Sequence, residues 1–228
     1  MVFKKEQSWD RKIALAIILL FITAVSGLLI YDHDLWNPHE HRVGAIVKEM
    51  ADSGNLVVPT LNGQPFLQKP PLYHVTAVSI FQLFKGEPAR TIRITSAFYG
   101  LLTLFACARI GFILGGARIA LASSAALASM AGFLQASHFI LVDTALVAFV
   151  ALSWWAFMEY QERERKVHLI LVWVFAAGAF LSKGVIGIAL IFPGILVFLL
   201  WVRSWRQIFC PWHIAGLVAF VGISAIWL

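Results

Sequence analysis

Seven apolar runs separated by polar residues restrict this chain more than any other feature. They cover residues 13–31, 92–114, 119–137, 139–160, 168–182, 185–202 and 212–228. Each lies within or near the roughly 17–25 residues that cross a bilayer core, the fifth being short. None alternates apolar and polar residues with period two, and lipid leaves no backbone group unpaired, so each run predicts a helix. Composition agrees, with 60% hydrophobic and 13% charged residues, where a soluble domain has about 45–50% and 25%. The expected fold is an all-α polytopic membrane protein of about seven transmembrane helices. It forms a single transmembrane domain over residues 1–228, with a long first extracytoplasmic loop over residues 32–91.

Charge sets the orientation. The formal net charge of +6 would suggest nucleic acid in a soluble chain. Here it reads as a cytoplasmic excess of Lys and Arg, so no nucleic-acid partner is expected. Lys4, Lys5, Arg11 and Lys12 precede the first run and place the N-terminus inside. Alternation then puts Arg118, the loop at 161–167 and the turn at 203–206 inside as well, four basic segments on one side. Residues 24–26 could pass for a signal-peptidase site, but the first run is long for a signal segment and reads as a retained helix. Cys107 and Cys210 lie far apart, form no metal spacing and predict no disulfide. The sequence stops inside an apolar run without flanking charge, which reads as a fragment of a longer protein or a short variant.

The polar stretch from Trp36 to His74 follows the first run and precedes all the others. Within it, Asn37 can cap a helix, Pro38 suits its first position, and Glu40 falls where a capping-box acid sits. Val43, Ile46, Val47 and Met50 then follow with helical spacing on one apolar face. Gly54 ends this helix. Being amphipathic and too short to span, it is expected to lie in the membrane interface. Residues 56–60 read as a short extended piece and residues 61–64 as a turn. Pro70 and Pro71 open a second helix at 72–84, apolar nearly all round and expected to be re-entrant or interfacial.

Residues 32–74, reading DHDLWNPHEHRVGAIVKEMADSGNLVVPTLNGQPFLQKPPLYH, resemble the first extracytoplasmic loop of the lipid-dependent, GT-C type glycosyltransferases. The similarity is to bacterial relatives of the aminoarabinose (lipid A) transferases and to the dolichyl-phosphate-mannose protein O-mannosyltransferases. VDTAL at 142–146 and LSKGVIG at 181–187 fit the same pattern. The family usually has Asp-Glu where this chain has His39 and Glu40, and Glu-Lys-Pro where it has Gln68, Lys69 and Pro70. Both departures remove a carboxylate.

The resemblance implies a membrane enzyme that moves a sugar from a polyprenyl-phosphate donor to a lipid, glycan or protein acceptor. The expected setting is the bacterial inner membrane, with the active face extracytoplasmic and membrane lipids as surroundings. Glu40, His39 and Asp143 are the catalytic candidates. Glu40 is the matching carboxylate and also reads as a helix cap. His39 titrates near neutrality. Asp143, about one turn into an apolar run, is costly there without a function. Arg42, Lys69 and Lys183 are candidates for the lipid phosphate. Lys183 reads equally as a C-terminal helix charge before Gly184. Tyr73 and His74 could line the same cleft, and an interfacial aromatic belt explains Tyr73 as well. Some relatives bind a divalent cation, to which His39, Glu40 and His74 could contribute. No ligand spacing here argues for one, so no metal site or certain cofactor is assigned. Two other classes compete. A truncated non-catalytic membrane subunit is favoured by the lost carboxylates. A transporter is disfavoured because the polar residues sit in one loop and at helix ends.

Overall fold

A computed structural model describes Leu35 and residues 38–85 and 88–227 of the chain. The apolar run at 13–31 and the Asn37 cap lie outside these residues. Eight α-helices form among them: α1 (Pro38–Ser53), α2 (Leu72–Phe84), α3 (Pro88–Ser129), α4 (Ala131–His138), α5 (Asp143–Arg163), α6 (Val167–Lys183), α7 (Val185–Trp201) and α8 (Trp212–Ser224). A short antiparallel hairpin of β1 (Thr60–Leu61) and β2 (Gln64–Pro65) joins α1 to α2.

The helix α3 is a hairpin in itself. Its backbone breaks at Gly115 and Gly116, the latter at φ 71°, which a side chain would resist. Beyond the break the chain doubles back, so that Leu104 packs on Leu127 and Ala128. The arms nearly touch: a Cβ on Gly111 would lie 2.9 Å from Ala120 Cα. The turn falls in the polar gap expected between the second and third apolar runs. The third run itself is not one helix, because Met130 is extended and separates α3 from α4. By length and apolarity Ala89–Ser129 could cross a bilayer, and α4 with α5 form a second such stretch bent by 119°. The remaining apolar helices, α2, α6, α7 and α8, are shorter.

The antiparallel pair α5 and α6 is the centre of the bundle, with α3 on one side and α7 and α8 on the other. Apolar burial drives little association in lipid, so close backbone approach matters more. Glycines provide it. Gly178 on α6 faces the Phe149 ring of α5, where an added Cβ would come within 2.4 Å. Gly187 on α7 lies so close to α6 that a Cβ would meet the Ala179 carbonyl carbon at 2.6 Å. Gly216 of α8 packs under Trp173 of α6.

The loop helices join this bundle. The face of α1 formed by Val43, Ile46, Val47 and Met50 is 0–2% exposed. It shares one core with Tyr73 and Ala77 of α2, Ile92 and Tyr99 of α3, and Ala145 and Ala148 of α5. This corrects the expectation that the apolar face of α1 lies in the membrane interface: protein covers it. On α2, Tyr73, His74, Ala77 and Val78 turn inward while Leu83 and Phe84 stay exposed. The turn at 61–64 is a two-residue hairpin loop with Asn62 and Gly63 both at positive φ. The Glu49 carboxylate holds it by accepting from Asn62 N at 2.6 Å and Gly63 N at 3.2 Å. With the Thr60 hydroxyl, these bonds lower the Glu49 pKa.

Candidate functional site

Three loops and helix ends converge above this core. Antiparallel packing of α5 on α6 sets the first residue of one beside the last residue of the other. Lys183 Nζ accordingly lies 2.7 Å from Asp143 Oδ1, with both side chains partly open to solvent. Gly184, at φ 68°, ends α6 as its sequence suggests. Asp143 is the first residue of α5, which corrects its expected place one turn inside a helix. Residues 139–142 are not helical, and the amides of Ile140 and Leu141 bond outside any helix.

Those amides identify the support beneath the site. Ile140 N donates to Glu40 Oε1 at 3.0 Å, and Leu141 N donates to Ser96 Oγ at 3.2 Å. Ser96 Oγ also bonds the Tyr73 hydroxyl at 2.8 Å. Glu40 Oε2 pairs with Arg93 Nη2 of α3 at 3.4 Å, and both side chains are at most 2% exposed. Glu40 thus faces the protein interior, tying α1 to α3 and to the segment that delivers Asp143. Tyr73 is likewise fully buried, and burial raises the pKa of its phenol.

The exposed side of the first turn of α1 carries the rest. His39 is within electrostatic reach of Lys69, Arg42 and Asp143, and Lys69 of Asp143, Lys183 and Arg42. Arg42 lies 5.9 Å from the centre of the Phe66 ring, which packs edge-on against His74. Burial and the Lys69 and Arg42 cations lower the His39 pKa. These effects favour the neutral imidazole, the form able to take a proton. Burial, with Lys183 and Arg42, also lowers the Lys69 pKa. His74 is 1% exposed, and burial pushes it down to about 4. It is a neutral group in the floor of the cluster.

The candidates from the sequence therefore form two layers. His39, Arg42, Lys69, Asp143 and Lys183 share the open layer, and Glu40, Tyr73 and His74 lie beneath. The sequence reading missed Arg93 and Ser96. An arginine within an apolar run that also holds Arg109 was the available signal for Arg93; a serine carries none. Among the described residues no group of three His, Cys, Asp or Glu side chains is placed to hold a metal ion.

This architecture has known counterparts. The chain is 29% identical over 199 residues to an undecaprenyl phosphate-alpha-4-amino-4-deoxy-L-arabinose arabinosyl transferase of Shewanella sediminis, covering 85% of this chain and 36% of the relative. A protein of the same description from Pseudomonas savastanoi is 30% identical over 77% of this chain and 34% of its own length. The crystal structure of ArnT from Cupriavidus metallidurans in the apo state superposes with a TM-score of 0.77 at 25% identity, covering 94% of this chain and 41% of that one. Its form bound to undecaprenyl phosphate gives a TM-score of 0.78 at 24% identity, over 98% and 40%. The chain thus spans less than half the length of these proteins. Residues 68–227 match the family described as dolichyl-phosphate-mannose-protein mannosyltransferase. The chain belongs to that family, within the GT-C type glycosyltransferases related to the aminoarabinose transferases.

Proposed function

We propose that this chain carries the donor-side catalytic layer of a membrane glycosyltransferase that uses a polyprenyl-phosphate sugar. One observation carries the reading: Lys183 pairs with Asp143, Lys69 lies within electrostatic reach of Asp143, Lys183 and Arg42, and His39 lies within reach of Lys69, Arg42 and Asp143. A surplus of positive charge suits a lipid phosphate, and a neutral imidazole suits a base. In the proposed reaction His39 takes the proton of the acceptor nucleophile. The nucleophile forms its bond to the anomeric carbon as the bond from that carbon to the phosphate oxygen breaks. The departing polyprenyl phosphate gains negative charge, which the three cations stabilise. Asp143 holds Lys183 in place. Configuration at the anomeric carbon inverts. The relatives' names suggest an aminoarabinose-type sugar carried on undecaprenyl phosphate, and the acceptor is a lipid, glycan or protein. The proposed setting is the bacterial inner membrane, with about seven spans, the N-terminus inside and this layer outside.

Replacing His39 separates base from bystander. In vesicles supplied with polyprenyl-phosphate sugar donors, the longest natural product of this reading frame should transfer sugar. His39→Gln should lower that rate about 10²–10⁴-fold, and His39→Asp should retain much more of it. Equal rates for His39→Gln and wild type would remove His39 as base. No transfer by the wild-type product to any acceptor would favour the non-catalytic reading, which the absent carboxylates also favour.

A further inference from the structure

The far end of α5 carries a second charged arrangement that sugar transfer does not use. Its central residue lies sixteen residues along the helix from Asp143, about 24 Å, which on the proposed orientation places it toward the opposite membrane surface. Its centre is Glu159, whose side chain is 2% exposed. Glu159 Oε1 accepts from Arg109 Nη2 of α3 and from Trp155 Nε1 at 3.2 Å. Glu159 Oε2 lies 2.7 Å from Arg163 Nε. A buried carboxylate thus fixes the direction of two arginines.

Arg163 is not consumed by this contact. Only its Nε is engaged, its side chain is 47% exposed, and its two terminal nitrogens have no hydrogen-bond partner among the described residues. Arg165 is exposed and also has none. These arginines, with Glu162 and the α3 residues Phe112 and Ile113, line a cleft of about 470 Å³. The next residue on α3, Leu114, is 65% exposed, and Ile119 just past the glycine turn is 48% exposed. The cleft therefore has a cationic wall, one acid and an apolar lip.

We infer that this cleft binds the headgroup of an anionic membrane phospholipid. Arg163 and Arg165 would hold the phosphodiester, and Glu162 would accept from headgroup hydroxyls. The acyl chains would lie along Phe112, Leu114 and Ile119. Glu162 on the same wall disfavours a dianion, and the apolar lip has no use for a free phosphate. Basic pockets between helices at a membrane surface bind such headgroups, each arginine contributing about five-fold in affinity.

Native mass spectrometry of the detergent-solubilised chain tests this with phosphatidylglycerol, phosphatidylcholine and inorganic phosphate as probes. Wild type should retain phosphatidylglycerol over phosphatidylcholine. Arg165→Gln should lose about five-fold of that preference at an unchanged melting temperature, since Arg165 holds no partner. Arg163→Gln should lose more. Equal retention of the two lipids, or an unchanged preference in Arg165→Gln, overturns the inference. So does displacement of the lipid by inorganic phosphate, which would make the cleft a free-anion site. If Arg163→Gln does not fold, Arg165→Gln alone decides.

Discussion

Substituting Glu40 by Gln is the most informative perturbation of the fold beneath the site. The amide can still accept the Ile140 N–H bond, which is 3.0 Å long in the native protein. It cannot neutralise Arg93, whose side chain is 2% exposed. Breaking a buried pair by removing one partner costs about 3–5 kcal/mol, because the other charge stays buried. For a chain of this size each kcal/mol moves the melting temperature by about 2–4 °C. Glu40→Gln should therefore melt roughly 6–20 °C below wild type in detergent. Replacing both members, Glu40→Leu with Arg93→Met, removes both charges of the pair and should recover most of the loss. It still forfeits the Ile140 bond, worth about 1 kcal/mol. A single variant melting within about 2 °C of wild type, or a double variant less stable than the single, would refute the reasoning. A base at Glu40 would instead give normal melting and lost transfer.

Three further outcomes follow from the structure. His74 is held at about 4 in the folded chain, while the unfolded chain titrates near 6.5. Between those values only the unfolded state binds the proton, so stability should fall as pH drops from 6.5 to 4, by about 3 kcal/mol in all; melting curves of His74→Phe should lack that slope. Gly187→Ala should cost about 1–3 kcal/mol, because the added Cβ meets the Ala179 backbone, and a melting temperature equal to wild type would mean that α6 and α7 separate freely. A reporter fused after Arg165 should report cytoplasm and one within residues 54–64 the opposite side; the same side for both would dismantle the proposed orientation.

Helix positions were legible because membrane helices are written in long apolar runs. The limits of α5 through α8 fall near those expected, and Gly184 and the Gly115–Gly116 turn sit at the ends the pattern suggests. The partner of α1 was not legible. Helical periodicity reports that a face is apolar; it does not report whether lipid or protein covers it. The site followed the same division. The partly buried candidates His39, Arg42, Lys69, Asp143 and Lys183 are linked by electrostatic contacts. The inward turn of Glu40 depended on Arg93, 53 residues away, and no local spacing encodes that pairing. Residues 139–142 read as helix by hydropathy, yet side chains of Glu40 and Ser96 claim the amides of Ile140 and Leu141. A run of apolar residues cannot announce such a competition.

The two departures from the family pattern act on one quantity, the charge of the open layer. Arg42, Lys69 and Lys183 share this layer with Asp143 and His39, three cations to one carboxylate. Carboxylates at positions 39 and 68 would cancel that surplus. Their absence has two linked consequences on the proposed reading. Lys69 and Arg42 are freer to meet a phosphate, because fewer carboxylates compete for them. The same cations also disfavour a proton on His39, adding to the effect of its burial. A carboxylate base in the same field would be ionised but weak, since cations lower its pKa too. An imidazole has an ordinary pKa nearer the working range, and the same field favours its unprotonated form. The histidine and the surplus charge thus form one substitution in electrostatic terms. Restoring either carboxylate alone alters the environment of whatever base occupies position 39.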